Sequence, residues 1–448
     1  MRTNYTALLL IAALCSALPI VQAQEKQSLT LEQAKATALE NNRLLKIKTL
    51  QVAEKRARVK EDNIKKYPSI TVNSTYQYNV NLGQLTIPEG SVGVLPLSPT
   101  LNIPLPDKEL KFDLGEHHTF NAGATIYQPI TQQGKIKTGI AIAEAEVHIS
   151  EKEKEKAAQQ ITLNVEKLYY ALLINQKQQE EAEARLELAR IKLYDVESAL
   201  LSGKTLEASK YGLEATTADE EQKVLKLQIA EDDYTTDLKS LTGLTANEFE
   251  LVPVAVGEVE LASLETYKTA ATANNIDLNL AELTKEKAEL GIKAAKQSYL
   301  PDLGLIAGYT YQTGNILYPT NNPFAGVNLK WNLQEIISNR QLLNQRNFLL
   351  QQALENSAYL QEQTDSNLEK AYRKSAQAKA LIKAAEKVVR YRKEDLTVQQ
   401  DRNFAGLNKR ADVLEAQSEL AKAMADLYAA QLNALLVRTD LKMLSTPE

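Results

Sequence analysis

The chain has 448 residues, 44% of them hydrophobic, a net charge of −5, one cysteine and three histidines. With so small a charge and no basic patch read from it, nucleic acid is excluded as a partner; so little histidine and cysteine leaves scant material for a metal site or for imidazole catalysis.

Residues 1–23 read as a secretory signal, with Arg2, an apolar Ala7–Ile20 and Val21-Gln22-Ala23 as the cleavage site. Cys15 falls inside it and follows Leu14, not the small residue a lipid anchor needs, so the mature chain is expected to contain no cysteine. Nothing later approaches the roughly 20 apolar residues of a membrane-spanning helix. The spacing predicts a helix over 29–66, ended by Pro68. In 69–80, Ile70, Val72, Tyr76, Tyr78 and Val80 alternate with polar residues, as on a two-faced strand. Residues 79–118 form a proline-containing loop, read as a partial lid, a contact surface or irregular filler, and 119–128 alternate again more weakly. A proline-free run over 134–200 repeats apolar residues at coiled-coil spacing, interrupted at Asn175 and Gln179. At 1.5 Å per residue this predicts a helix of roughly 100 Å. A turn at Leu201–Lys204 precedes a returning helix over 206–242. A connector, 244–263, is placed outside the helical body.

The remainder repeats the first half. Residues 31–78 advanced by 233 positions give twelve identities in 48 pairs, among them Lys35/Lys268, Asn42/Asn275, Pro68/Pro301 and Tyr76/Tyr309. Further on the offset is 203, where Thr236–Lys239 meets Thr439–Lys442, and the difference of 30 is the loop after Tyr78. The second copy therefore supplies a helix over 264–299, strands over 302–311 and 325–333, a long helix over 335–402, a turn at Ala405–Leu407 and a last helix over 408–445. The layout is a first repeat over 24–243, the connector, and a second repeat over 264–448. Four amphipathic strands fit a membrane β-barrel wall but cannot close one. Lipid tolerates no open edge, so several copies must pool their strands, and three would give twelve.

The order of these elements, with Tyr67-Pro68-Ser69, Leu300-Pro301-Asp302, Tyr127-Gln128-Pro129-Ile130, Leu238–Gly243 and Gly406 followed by Asp412–Ala416, resembles the TolC-type outer-membrane efflux family over essentially the whole mature chain. The resemblance implies a mainly helical fold with membrane β-structure: a homotrimer with a 12-stranded barrel in outer-membrane lipid and a helical periplasmic tube. It also implies an exit duct for an inner-membrane transporter bridged by a periplasmic adaptor, in small-molecule efflux or one-step protein secretion. A surface coiled-coil adhesin is the rival from another class; it would need neither the strands nor the duplication.

Asp412 and Glu415 lie three apart on one helix face beside Gly406. They read either as a helix-start pair or, through the resemblance, as rings of carboxylates at the periplasmic mouth that favour cations and raise one another's pKa. In the first repeat Tyr211 aligns with Asp412, which makes an aromatic constriction the alternative there. Ser202, Gly203, Lys204, Ala405, Gly406 and Leu407 form the tips where an adaptor would dock. Gly203-Lys204-Thr205 imitates the end of a phosphate loop, but Ser198 stands where the earlier glycine belongs and no strand precedes it. His117 and His118 lack a carboxylate cluster, and no nucleophile–base set is present. The expectation is a non-enzyme without cofactor or metal.

Overall fold

A computed structural model describes residues 27–98, 101–203, 207–244, 249–254, 261–315 and 318–445. The secretory signal over 1–23 and Lys204 lie outside the described residues. The elements run β1 (Gln27–Leu29), α1 (Leu31–Asn41), α2 (Arg43–Ile64), β2 (Ser69–Tyr78), β3 (Gly83–Ile87), β4 (Gly93–Ser98), β5 (Leu101–Leu105), β6 (Leu110–Leu114), β7 (His118–Pro129), α3 (Gln133–Leu201) and α4 (Glu207–Thr242). The second copy follows with β8 (Phe249–Leu251), α5 (Leu264–Asn274), α6 (Ile276–Gln297), β9 (Asp302–Thr313), β10 (Asn321–Lys330), α7 (Leu333–Phe404) and α8 (Arg410–Ser445). They form two compact units, one of Met1–Lys46, Lys156–Ala271 and Ser366–Glu448, the other of Ile47–Glu155 and Thr272–Asp365.

In the first unit the duplicated sequence builds two related cores. One gathers Ala38, Val165, Tyr169 and Leu238; the other gathers their counterparts Ala271, Leu368, Tyr372 and Leu441. The ion pair of Lys35 with Glu166 at 2.5 Å returns as Lys268 with Glu369 at 2.9 Å. Asn175 and Gln179 do not break α3. Gln179 donates to Asn175 Oδ1 at 2.7 Å and to Glu231 Oε2 on α4 at 2.8 Å, so the polar seam residues satisfy one another.

Two expectations for the helical part need correction. The helices placed over 29–66 and 264–299 are each split, at Asn42 and Asn275. Both asparagines are extended, with ψ near 125°, and each side-chain oxygen accepts N–H groups of the next helix: Leu44 and Leu45 in one copy, Asp277 and Leu278 in the other. The side chain competes for the amides that a continuous helix would have used. The connector is not outside the body either. β8 pairs in parallel with β1, Leu251 and Leu29 are buried in the first core, and the buried Tyr169 hydroxyl lies 2.8 Å from the Leu29 carbonyl and 2.7 Å from that of Val252.

The second unit holds a four-stranded antiparallel sheet in the order β10-β9-β7-β2. One face carries Ile70, Ile126, Ala307 and Ala325 in register, with Val72, Ala124 and Tyr309 in the next row. Strand β10 begins and ends earlier than expected, leaving Trp331 and Leu333 beyond it. The loop after Tyr78 is not irregular. β3 pairs with β6 and β4 with β5, two nested hairpins that prolong the β2–β7 pair. At the root of this arm the Glu116 N–H donates to the Gly314 carbonyl at 2.9 Å, and Gly115 and Gly314 both have positive φ. A side chain at either position would strike the other strand's backbone. Below the sheet, Glu146 on α3 draws Lys55 and Arg58 of α2 and Lys287 of α6 to within 4 Å.

Candidate functional site: the hairpin tips and the acidic pair

The turn after α7 is a complete C-terminal cap. Gly406, at φ 70°, donates its N–H to the Asn403 carbonyl at 2.9 Å, and Leu407 donates to Arg402 at 2.8 Å. This pair of reversed bonds needs a left-handed residue at Gly406. Asn408 then reaches back to Gln399 through its carbonyl at 3.1 Å and its side-chain oxygen at 2.9 Å. The first turn uses Gly203, φ 67°, with Ser202 Oγ donating to the Ala199 carbonyl at 2.9 Å. Both tips leave apolar side chains bare: Phe404 is 97% exposed, Leu201 92% and Leu407 70%. Sequence reasoning passed over Phe404 and Leu201 because they read as the last residues of coiled-coil helices.

Asp412 and Glu415 are exposed on the first turns of α8. The Asp412 carboxylate accepts the Lys409 N–H at 2.9 Å, which is the helix-start role. Glu415 is paired with Lys192 of α3 at 2.8 Å. One turn on, Glu419 is held between Arg185 of α3 at 3.4 Å and Arg392 of α7 at 3.1 Å. Lys192 stands 223 positions from Glu415, so no local spacing could have disclosed it. Tyr211 is exposed on α4, its hydroxyl 3.5 Å from Glu207 and far from Asp412 in sequence. Among the described residues no cluster of histidine, cysteine and acidic groups could hold a metal, and no helix is long and apolar enough to cross a membrane.

The model for outer membrane efflux proteins matches residues 35–247 and 269–445, thus both repeats. The chain belongs to the outer membrane efflux protein family. Its members are passive channels, not enzymes, and the efflux duct is the coarse function assigned here. The fold agrees with solved channels at low identity. The CmeC outer membrane channel of Campylobacter jejuni matches with 14% identity and a TM-score of 0.74 over 92% of this chain and 85% of that one. The outer membrane protein VceC of Vibrio cholerae matches with 16% identity and 0.70 over 93% and 97%. The open-state MtrE channel of Neisseria gonorrhoeae gives 15% and 0.65 over 93% and 89%. No curated protein matches this efflux protein by sequence.

Proposed function

We propose that three copies of this chain close a 12-stranded barrel in the outer membrane and a helical tube in the periplasm. The tube is the passive exit duct for small molecules delivered by an inner-membrane transporter through a periplasmic adaptor. The observation that carries the reading is the sheet. Strands β10 and β2 have unpaired edges, and one face is apolar from Ile70 to Leu329 with many side chains bare. Lipid would cover that face, while the edges require strands from other copies. The bare Phe404, Leu407 and Leu201 at the tips supply the apolar contact an adaptor would take, with Ser202, Gly203, Lys204, Ala405 and Gly406 as the turns around them. Asp412 and Glu415 would then form charged rings near the mouth.

The test is dye and antibiotic accumulation in a strain lacking the protein, against a complemented control. Higher retention that complementation reverses supports efflux. Unchanged retention over a broad panel, with proteins lost from the medium, would replace it by one-step protein secretion.

A further inference from the structure

Within the first unit the four hairpin helices follow one another as α4–α3–α8–α7. Glu221 and Arg190 join α4 to α3 at 3.0 Å, Arg185 and Glu419 join α3 to α8, and Glu419 and Arg392 join α8 to α7. The outer members, α4 and α7, are therefore partnered along one side only. Each nevertheless carries a second row at heptad spacing. On α4 it is Tyr211, Ala215, Ala218, Gln222, Leu225 and Ile229; on α7 it is Leu381, Ala384, Val388, Tyr391 and Val398. Their large apolar members are all 50–60% exposed.

The two bare rows differ in charge. Helix α4 has nine acidic and four basic residues; residues 369–393 of α7 have nine basic and two acidic. The sequence reading, which found no basic patch, missed this concentration because the whole-chain balance hides it. Asp219 on α4 and Lys379, Lys383 and Lys387 on α7 enter no ion pair among the described residues, and Lys387 and Arg390 rest on the Tyr391 ring at 5.8 and 5.3 Å.

Internal symmetry says what meets what. Helix α7 is the copy of α3, and α4 is the copy of α8. Advancing Arg185 by the repeat offset gives Val388, and the counterpart of Glu419, in the alignment of Leu213-Glu214-Ala215 with Leu414-Glu415-Ala416, is Ala218. The α3–α8 contact inside the chain thus has an image, α7 against an α4, that the same chain does not make.

We infer that the bare row of α7 on one copy packs against the bare row of α4 on the next, Val388 beside Ala218 and Lys387 beside Asp219, so that a basic edge meets an acidic edge around the tube. This rests on the duct reading above. Opposite edges attract, whereas α4 against α4 or α7 against α7 repels, so the contact is head-to-tail and can close a ring. Near the tips the image of Lys192–Glu415 is Asp395 against Glu214, two acids, so the attraction ends before the turns.

The mature chain lacks cysteine, so an Ala218→Cys/Val388→Cys variant can be treated in membranes with a short bismaleimide. The expected result is covalent dimer and trimer on a denaturing gel, with neither single variant cross-linking beyond background. Asp219→Lys or Lys387→Asp alone should reduce trimer yield several-fold in low salt, and the combined exchange should restore it. The mass of the unmodified protein in detergent separates the two failures. A monomer would remove the duct reading and this seam with it. A trimer that the double-cysteine variant cannot cross-link, or that a lone Ala218→Cys links to itself, would overturn the seam and leave the duct standing.

Discussion

Replacing Gly308 by alanine should loosen the four-stranded sheet, whereas the same change at Gly326 should not. A Cβ at Gly308 would lie 2.6 Å from the Ala124 carbonyl oxygen of β7 and 2.6 Å from Cζ of Phe324, its partner across β10. A carbon needs about 3.3 Å from a carbonyl oxygen and about 3.5 Å from another carbon. Phe324 can rotate away, but the carbonyl belongs to the ladder that pairs β7 with β9, so that ladder must open by about 0.7 Å. Overpacking of this kind costs about 1–3 kcal/mol per copy, and the barrel would contain three. At Gly326 the added carbon meets only Ile306 Cγ2 at 3.8 Å, an ordinary contact. Trp331, the single tryptophan, follows β10 and reports on the sheet. Urea titration of the protein refolded in detergent micelles, read by Trp331 emission, should give a lower midpoint for Gly308→Ala than for the parent, with Gly326→Ala near the parent. Equal midpoints for both variants would show that the sheet absorbs the clash and would refute the steric argument.

Tyr169→Phe should cost about 1–2 kcal/mol by stripping the Val252 carbonyl of a buried donor; faster proteolysis after Leu251 checks it, and an unchanged cleavage rate would contradict it. Glu146 is held below its ordinary value of 4.5 by the Lys287 hydrogen bond above all, then by the charges of Lys287, Lys55 and Arg58. A depressed carboxylate stabilises the fold above its unfolded pKa and loses that contribution as pH falls through the folded value. The melting difference between the parent and Glu146→Gln should thus be largest near neutrality and shrink below pH 4.5; a difference independent of pH would refute the linkage. In planar bilayers, Asp412→Ala with Glu415→Ala should lower cation preference. Because Glu415→Ala alone releases Lys192, adding Lys192→Ala to it should recover part of the preference. Unchanged selectivity in all three would remove these residues from the pore.

The regular part of the fold was legible because it is periodic. Heptad spacing marks α3 and α7, period two marks the strands, and the offset of 233 ties the two copies to each other residue by residue. What was not legible depends on single side chains or distant partners. Asn42 looks like one more polar helical residue until its oxygen takes the amides of Leu44 and Leu45. Phe249–Leu251 is too short to show a period, and it becomes a strand because β1 and the Tyr169 hydroxyl receive it. The arm over 83–114 alternates only in five-residue pieces separated by glycine and proline, which masked its pairing. At the candidate site the acidic pair was found from spacing, but Lys192 and the Arg185–Glu419–Arg392 link join residues on three helices and leave no trace in any window of sequence.

The duplication also accounts for the unequal edges. The outer helix on one side is a returning helix of the first copy, α4, and on the other an outgoing helix of the second, α7, so the two edges are not images of each other. Residues 166–190 of α3, the counterpart of the basic stretch of α7, hold five acidic and four basic residues. That face of α3 is already covered inside the chain, where Arg185 meets Glu419. Only in the copy left at an edge does the stretch become basic, and only the opposite edge helix is correspondingly acidic. A purely structural coiled coil needs no such bias, since exposed ion pairs contribute little to stability. Charge at the two vacant rows does something stability does not require: it selects which surface of an identical neighbour may approach.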